Sequence, residues 1–312
     1  MQPYEQVMPG SCLKWGGARF HINWHLPWLY DADVIILNGY QSLVAQLILH
    51  THAKKVPCIF WGEKMVADSA GVKGRLQQLL AAGLNNCKGI AAIGSKAKED
   101  YSQRFPSKPI FNISYYCNLD GFSQKIPQRP RRPITILFCG QMISRKGVDL
   151  LLNSFQQLLD VGYDARLLLV GREADLPEML QALPNNSVQH IEFAGFQAPE
   201  DLPHYFQRAD IFVLPSRYDG WGVVVNQALG AGLPIICSDA VGAAPDLIEP
   251  GVNGFAFSAG DAPALFSALK YFFEQPERIG SASQASLQKA PMWSPSVGAK
   301  HWLDAFKTVI DL

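Results

Sequence analysis

The strongest constraint on the fold is a series of uninterrupted apolar runs. From residue 134 onward the chain reads "ITILFCG" (134–140), "ARLLLVG" (165–171), "QHIEFAG" (189–195), "DIFVLPS" (210–216) and "LPIICSD" (233–239). A strand without polar alternation must be covered on both faces, which is the situation of a parallel sheet between two helical layers. The stretches between the runs supply those layers. "GVDLLLNSFQQLLDVG" (147–162), "LPEMLQAL" (176–183), "LPHYFQRA" (202–209) and "APALFSALKYFFEQ" (262–275) carry apolar residues at helical spacing. "SVGAKHWLDAFKTVIDL" (296–312) closes the chain as one more amphipathic helix.

The first half repeats the pattern. "DVIILNG" (33–39), "VPCIFWG" (56–62), "GIAAIGS" (89–95) and "PIFNISYYCN" (109–118) predict strands, and segments 41–55, 72–87 and 97–105 predict helices. Between the halves, "GFSQKIPQRPRRP" (121–133) holds three prolines and four basic residues with no apolar period, and reads as a linker. The 312 residues are too many for a single core of ordinary size. The expected fold class is therefore α/β, with two Rossmann-like doubly wound domains. The expected division is 1–122, linker 123–133, 134–290, and a helical tail 291–312 that packs back toward the first domain. Ligands are expected at the carboxyl ends of the strands.

Composition removes several function classes. With 27 basic and 27 acidic side chains the chain is neutral, so no nucleic-acid footprint is expected. The six cysteines are scattered without a C-x-x-C pair, which argues against a zinc cluster and for a reducing, cytoplasmic setting. No signal peptide or membrane-spanning run is present. The aromatic segment "KWGGARFHINWHLPWLY" (14–30) reads as packing against the first domain; peripheral contact with the inner face of a membrane is the alternative. Its "KWGGAR" follows no predicted strand and reads as a turn.

Several motif-like strings carry no chemistry. "GQMISRKG" (140–147) lacks the G-K-[ST] of a phosphate-binding loop, and no G-x-G-x-x-G follows a strand. "DAD" (31–33) is turn punctuation before a strand, and the two histidines of "HTH" (50–52) point apart on a helix. Three features remain. Arg145 and Lys146 lie between a strand ending in Gly140 and the next helix, where two cations suit a diphosphate. Gly171 and Gly195 end strands, followed by Arg172 and Phe196. Finally, "DGWGVVVNQALG" (219–230) opens a helix on Asp219 and two glycines. Its first amides, at Gly222, Val223 and Val224, form an anion site, with Gln227 one turn further along the same face.

Taken in order, "GQ", "RKG", "VG", "ADIFVLPS", "DGWGVVVNQALGAGLPII" and "GVNGF" resemble the C-terminal lobe of retaining family-4 glycosyltransferases of the GT-B fold, glycosyl transferases group 1. The resemblance is strong over residues 134–257 and weaker over 31–122. It implies that the second domain binds a nucleotide-diphospho-sugar, UDP- or GDP-linked, with no cofactor and no metal. By position, Asp219 contacts the donor sugar, Gln227 the ribose, Gly222 to Val224 the phosphates together with Lys146 and Arg145, and Gly140, Gly171, Arg172 and Phe196 border the nucleotide. Glu63 of "FWGEK" is the catalytic candidate of the first domain. The sequence departs from the family pattern where Asp219 and Gln227 stand for two glutamates and Gln141 for an arginine. The resemblance also implies an incomplete first lobe, lacking its opening strand and Gly-rich loop. The expected function is transfer of a hexosyl-type sugar, with retention and without a metal, to a glycan or glycolipid acceptor of a polysaccharide or lipopolysaccharide. The alternative is a nucleotide-sugar-binding protein with little turnover.

Overall fold

The structure is a computed structural model that describes residues 10–15, 18–23, 32–65, 72–123 and 132–311. It divides into two compact units, the first running to Ile113 and taking in the end of the chain from Lys300, the second spanning Ser114–Ala299. The division precedes the predicted linker, whose residues 124–131 lie outside the described ones.

In the first unit, β1 (Gly10–Trp15) and β2 (Ala18–Asn23) pair antiparallel as a separate two-stranded sheet. This corrects the expectation that no strand precedes "KWGGAR" or falls within the first thirty residues. The signal is hidden because the strand sequences "GSCLKW" and "ARFHIN" mix polar and apolar residues without strict alternation. Residues 24–31, which carry most of the aromatic segment and Asp31, lie outside the described residues. The main sheet is parallel, in the order β3 (Ile35–Asn38), β4 (Cys58–Gly62), β5 (Gly89–Ala92), β6 (Ile110–Asn112). Leu49, Ile59, Leu84, Ile90 and Tyr101 are fully enclosed around it. β6 is far shorter than the apolar run at 109–118 suggests. Beyond Ile113 the backbone leaves the sheet and bonds elsewhere: Cys117 N–H donates to the Trp293 carbonyl at 3.3 Å.

The second unit is a six-stranded parallel sheet in the order β12-β11-β10-β7-β8-β9. The strands are β7 (Ile134–Cys139), β8 (Ala165–Val170), β9 (Ile191–Gly195), β10 (Ile211–Leu214), β11 (Ile235–Ser238) and β12 (Gly254–Phe257). β8, β10 and β11 are almost wholly buried, as unbroken apolar runs require. The chain builds β7-β8-β9 outward in one direction and β10-β11-β12 outward in the other. Neighbouring loops therefore diverge between β7 and β10, the position at which sheets of this kind take their ligands.

Other elements also escape the sequence reading, among them β12 and the Glu277–Lys289 helix, whose buried face is Ile279, Ala282, Ser283 and Ser286. A face of Ala and Ser gives no hydrophobic period. It is held instead by close approach: Ser286 Oγ donates to the Leu233 carbonyl at 2.8 Å, and a Cβ on Gly232 would lie 2.7 Å from Leu287.

The carboxyl ends of β7, β8 and β9 are tied together by backbone. Gly140 N–H donates to Val170 O and Gly171 N–H to Gly195 O, both at 2.8 Å. Gly171 sits at φ +140°, and a Cβ there would lie 1.8 Å from the Gly140 carbonyl oxygen. Its glycine is needed by the neighbouring strand. Gly171→Ala is expected to destabilise the fold by more than the ~1–3 kcal/mol of a strained backbone position alone. Urea denaturation checks this, and a loss below about 1 kcal/mol would contradict the packing argument.

Candidate functional site

The crevice is built by two loops, residues 140–147 after β7 and 215–222 after β10. They touch closely enough to dictate sequence. Gly147 has a left-handed backbone (φ +71°), and a Cβ on it would lie 2.0 Å from the Pro215 carbonyl oxygen. The first loop ends in a short 3-10 turn, Ser144–Lys146, which places both cations against the second loop. Lys146 Nζ forms an ion pair with Asp219 Oδ2 at 2.5 Å, and Arg145 Nη1 donates to the Tyr218 carbonyl at 2.9 Å. The Lys146 and Asp219 side chains are only 16% and 13% exposed, so their attraction is far less screened than that of a surface pair.

Asp219 is fixed by backbone as well. Its N–H donates to Ala240 O (3.1 Å) and its carbonyl accepts from Gly242 N–H (3.0 Å). A Cβ on Gly242 would lie 2.0 Å from Gly220 O, which demands glycine there. The chain then turns through Trp221, which is 1% exposed, into Gly222, a left-handed N-cap at φ +88°. The helix that follows, Val223–Gly230, has no side-chain cap. Its first amides have no intrahelical acceptor and point out of the helix end, where the dipole adds roughly half a positive charge. One turn on, Gln227 Oε1 is enclosed and has no hydrogen-bond partner. An enclosed acceptor left unpaired costs ~1–3 kcal/mol, so a ligand hydroxyl placed there gains that amount.

At the neighbouring strand ends, the Arg172 guanidinium lies over the Phe196 ring, 5.6 Å from its centre, and Phe196 is 66% exposed. The pair forms a flat shelf beside Gly171 and Gly140. Glu63 belongs to the first unit, just past β4, where its backbone carbonyl accepts from the Tyr101 hydroxyl at 2.7 Å. Cys139, at the end of β7, is kept as a neutral thiol: burial pushes its pKa up to about 12. Among the described residues, no cluster of three His, Cys, Asp or Glu side chains is placed to hold a metal ion.

Lys146, Arg145 and Asp219 thus meet between the two loops, and the Val223–Gly230 helix, which carries Gln227, starts directly after the second; Gly140, Gly171, Arg172 and Phe196 lie at the neighbouring strand ends. Sequence reasoning missed the braces. Arg217 is the main one: it binds Asp149 through two bonds of 2.7 and 2.6 Å, donates to Ser144 O at 2.6 Å, and gives its own N–H to Arg145 O at 2.8 Å. It thereby pins the cationic turn from three sides. Asn226 is the other, accepting from Trp221 Nε1 (2.9 Å) and donating to Tyr115 O (3.2 Å). The available signal for it was an asparagine inside the apolar run "VVVNQALG"; the structure buries it fully.

Comparison with known proteins places this architecture. Residues 133–275 match the family model described as Glycosyl transferases group 1. Over this stretch the chain is similar to the glycosyl transferases group 1 domain. That stretch holds the whole crevice. The chain is 29% identical over 185 residues to a phosphatidyl-myo-inositol mannosyltransferase of Mycobacterium leprae, covering 57% of this chain and 49% of that protein. It is 25% identical over 234 residues to an alpha-D-kanosaminyltransferase of Streptomyces kanamyceticus, covering 70% of this chain and 60% of that protein. The matched region thus spans about half to three-fifths of these relatives' own lengths. Among solved structures, a sucrose-phosphate synthase from Thermosynechococcus elongatus has a TM-score of 0.74 at 19% identity, covering 90% of this chain and 75% of that one. Anabaena HepE in complex with UDP has a TM-score of 0.74 at 16% identity, covering 89% and 79%. The fold is that of the GT-B glycosyltransferases.

The Arg217 bond holds the Asp149 carboxyl below the usual carboxylate range. A depressed carboxyl contributes stability that is fully present above its unfolded pKa and is lost as pH falls through the folded value. The contribution should therefore fade below about pH 4. Asp149→Asn is expected to cost under ~1 kcal/mol at pH 7, because the pair is part-exposed, and to close on the native protein as the pH approaches 3. Urea melts at pH 3–7 check this; a gap that widens on acidification would contradict it.

Proposed function

We propose that the chain is a glycosyltransferase that moves a hexosyl-type sugar from a UDP- or GDP-linked donor to a glycan or glycolipid acceptor. The single observation that carries this reading is the arrangement at the switch point. Two cations, a carboxylate and an uncapped helix N-terminus lie together on the two loops, with an unpartnered amide oxygen one helical turn further on. The positive groups suit a diphosphate. Asp219 suits sugar hydroxyls, Gln227 Oε1 a ribose hydroxyl, and the Arg172–Phe196 shelf a base.

In the free domain the Lys146 ammonium is held by Asp219. A diphosphate is the stronger partner for that ammonium. As it draws Lys146 away, the carboxylate is released to accept from the sugar. Departure of the nucleoside diphosphate needs charge stabilisation that is already in place before the bond breaks. Lys146, Arg145 and the amides of Gly222 to Val224 supply it without a resident metal or cofactor. Retention at the anomeric carbon follows the group 1 resemblance, and Glu63 is the candidate group on the acceptor side. Such donors and acceptors place the reaction in the cytoplasm, peripheral to a membrane where the acceptor is a glycolipid. Among the described residues no helix is long and apolar enough to cross one.

Thermal shift against UDP, GDP and ADP identifies the base, and calorimetry then measures affinity. Lys146→Ala is expected to weaken the preferred nucleotide by about tenfold or more, the worth of a lost charge-assisted bond. Gln227→Leu, which removes the ribose acceptor, is expected to weaken it several-fold. Turnover of the matching nucleotide-sugar, followed as release of nucleoside diphosphate, tests the transferase itself. Nucleotide binding unchanged in Lys146→Ala would refute the site.

A further inference from the structure

The same six-stranded sheet has a second cavity at its other end. It lies at the amino ends of β7, β8 and β9, opposite the crevice, and encloses about 400 Å³. Arg132, Arg166, His190 and Arg208 line it, with Glu192 and Gln189 between them. That is three guanidiniums and an imidazole against one carboxylate, in a chain whose net charge is zero. The side chains of Arg132, Arg166 and His190 have no hydrogen-bond or ion-pair partner among the described residues. Only Arg208 is engaged, to Glu192 at 2.5 Å, and that pair is 38% and 51% exposed. The nearby carboxylate of Asp210 is buried and accepts from the Thr135 amide at 2.8 Å.

Like charges gathered around one concavity repel, and an exposed ion pair such as Arg208–Glu192 offsets little of that. A bound anion would relieve that repulsion. We propose that this groove binds a phosphate-bearing anion. Guanidinium forks match phosphate oxygens two at a time, and the free donors of Arg132, just before β7, and Arg166, on β8, can do so from two sides. The volume falls within the range of small-ligand sites and leaves room for the group that carries the phosphate. Two sources share this chemistry: a soluble phosphorylated molecule and the headgroup of an anionic phospholipid. A ligand here would act at a distance from the donor crevice, at the opposite end of the strands of the same sheet.

Inorganic pyrophosphate is titrated into the full chain by calorimetry, and vesicles of phosphatidylcholine with and without phosphatidylglycerol are used in flotation. Each is run with the native protein, Arg132→Gln/Arg166→Gln, Lys146→Met and Glu192→Gln. The expected result is that the arginine double variant binds one probe at least about tenfold more weakly, while Lys146→Met retains that binding. Loss on pyrophosphate assigns a soluble ligand; loss confined to phosphatidylglycerol vesicles assigns a headgroup. Glu192→Gln frees Arg208 and should tighten the same probe severalfold, a gain that misfolding cannot imitate. The proposal is overturned if neither probe distinguishes Arg132→Gln/Arg166→Gln from the native protein, or if Glu192→Gln does not tighten binding.

Discussion

The ion pair between Lys146 and Asp219 is the contact on which the site depends. It joins two loops 73 residues apart in the chain, which emerge from strands that are neighbours only because the sheet reverses its direction of growth between β7 and β10. Each loop is shaped to allow that contact. Gly147 gives way to Pro215, Gly242 to Gly220, and Arg217 ties the cationic turn to both its own loop and the helix behind it. A nearly buried pair of opposite charges is costly to leave half-made, so the two loops are already held in register before a ligand arrives.

That register gives the crevice its electrostatics. With Lys146 balanced by Asp219, the excess positive potential comes from Arg145 and the uncapped start of the Val223–Gly230 helix. In the proposed reaction an incoming diphosphate would meet donors already in place and need only displace Asp219 from Lys146. Asp219 is one methylene shorter than a glutamate. It reaches Lys146 directly in the closed backbone pairing with Ala240 and Gly242. Gln227 keeps an unpaired acceptor one turn into the helix without adding a second negative charge there.

Much of this was legible in the sequence, for physical reasons that differ by element. β7, β8, β10 and β11 were readable because strands covered on both faces have no polar positions to hide them. The helix start at residues 219–224 was readable because glycines at a strand-to-helix turn leave amides free. The Glu277–Lys289 helix was not, since its packing rests on the small side chains of Ala282, Ser283 and Ser286. β1 and β2 were not, because their residues follow neither period. The partners of Lys146 and Arg217 could not be read at all: a bond across 73 or 68 residues has no local signature until the sheet order is known.

The account's central claim is that Lys146 changes partner, from the Asp219 carboxylate to a diphosphate. A double-mutant cycle of Lys146→Met and Asp219→Asn on unfolding free energy, run with and without saturating nucleotide, tests it most directly. The predicted result is a coupling of ~1–3 kcal/mol in the free protein that falls toward zero with nucleotide bound. A coupling that is absent in the free protein, or that persists undiminished with nucleotide bound, would contradict the claim.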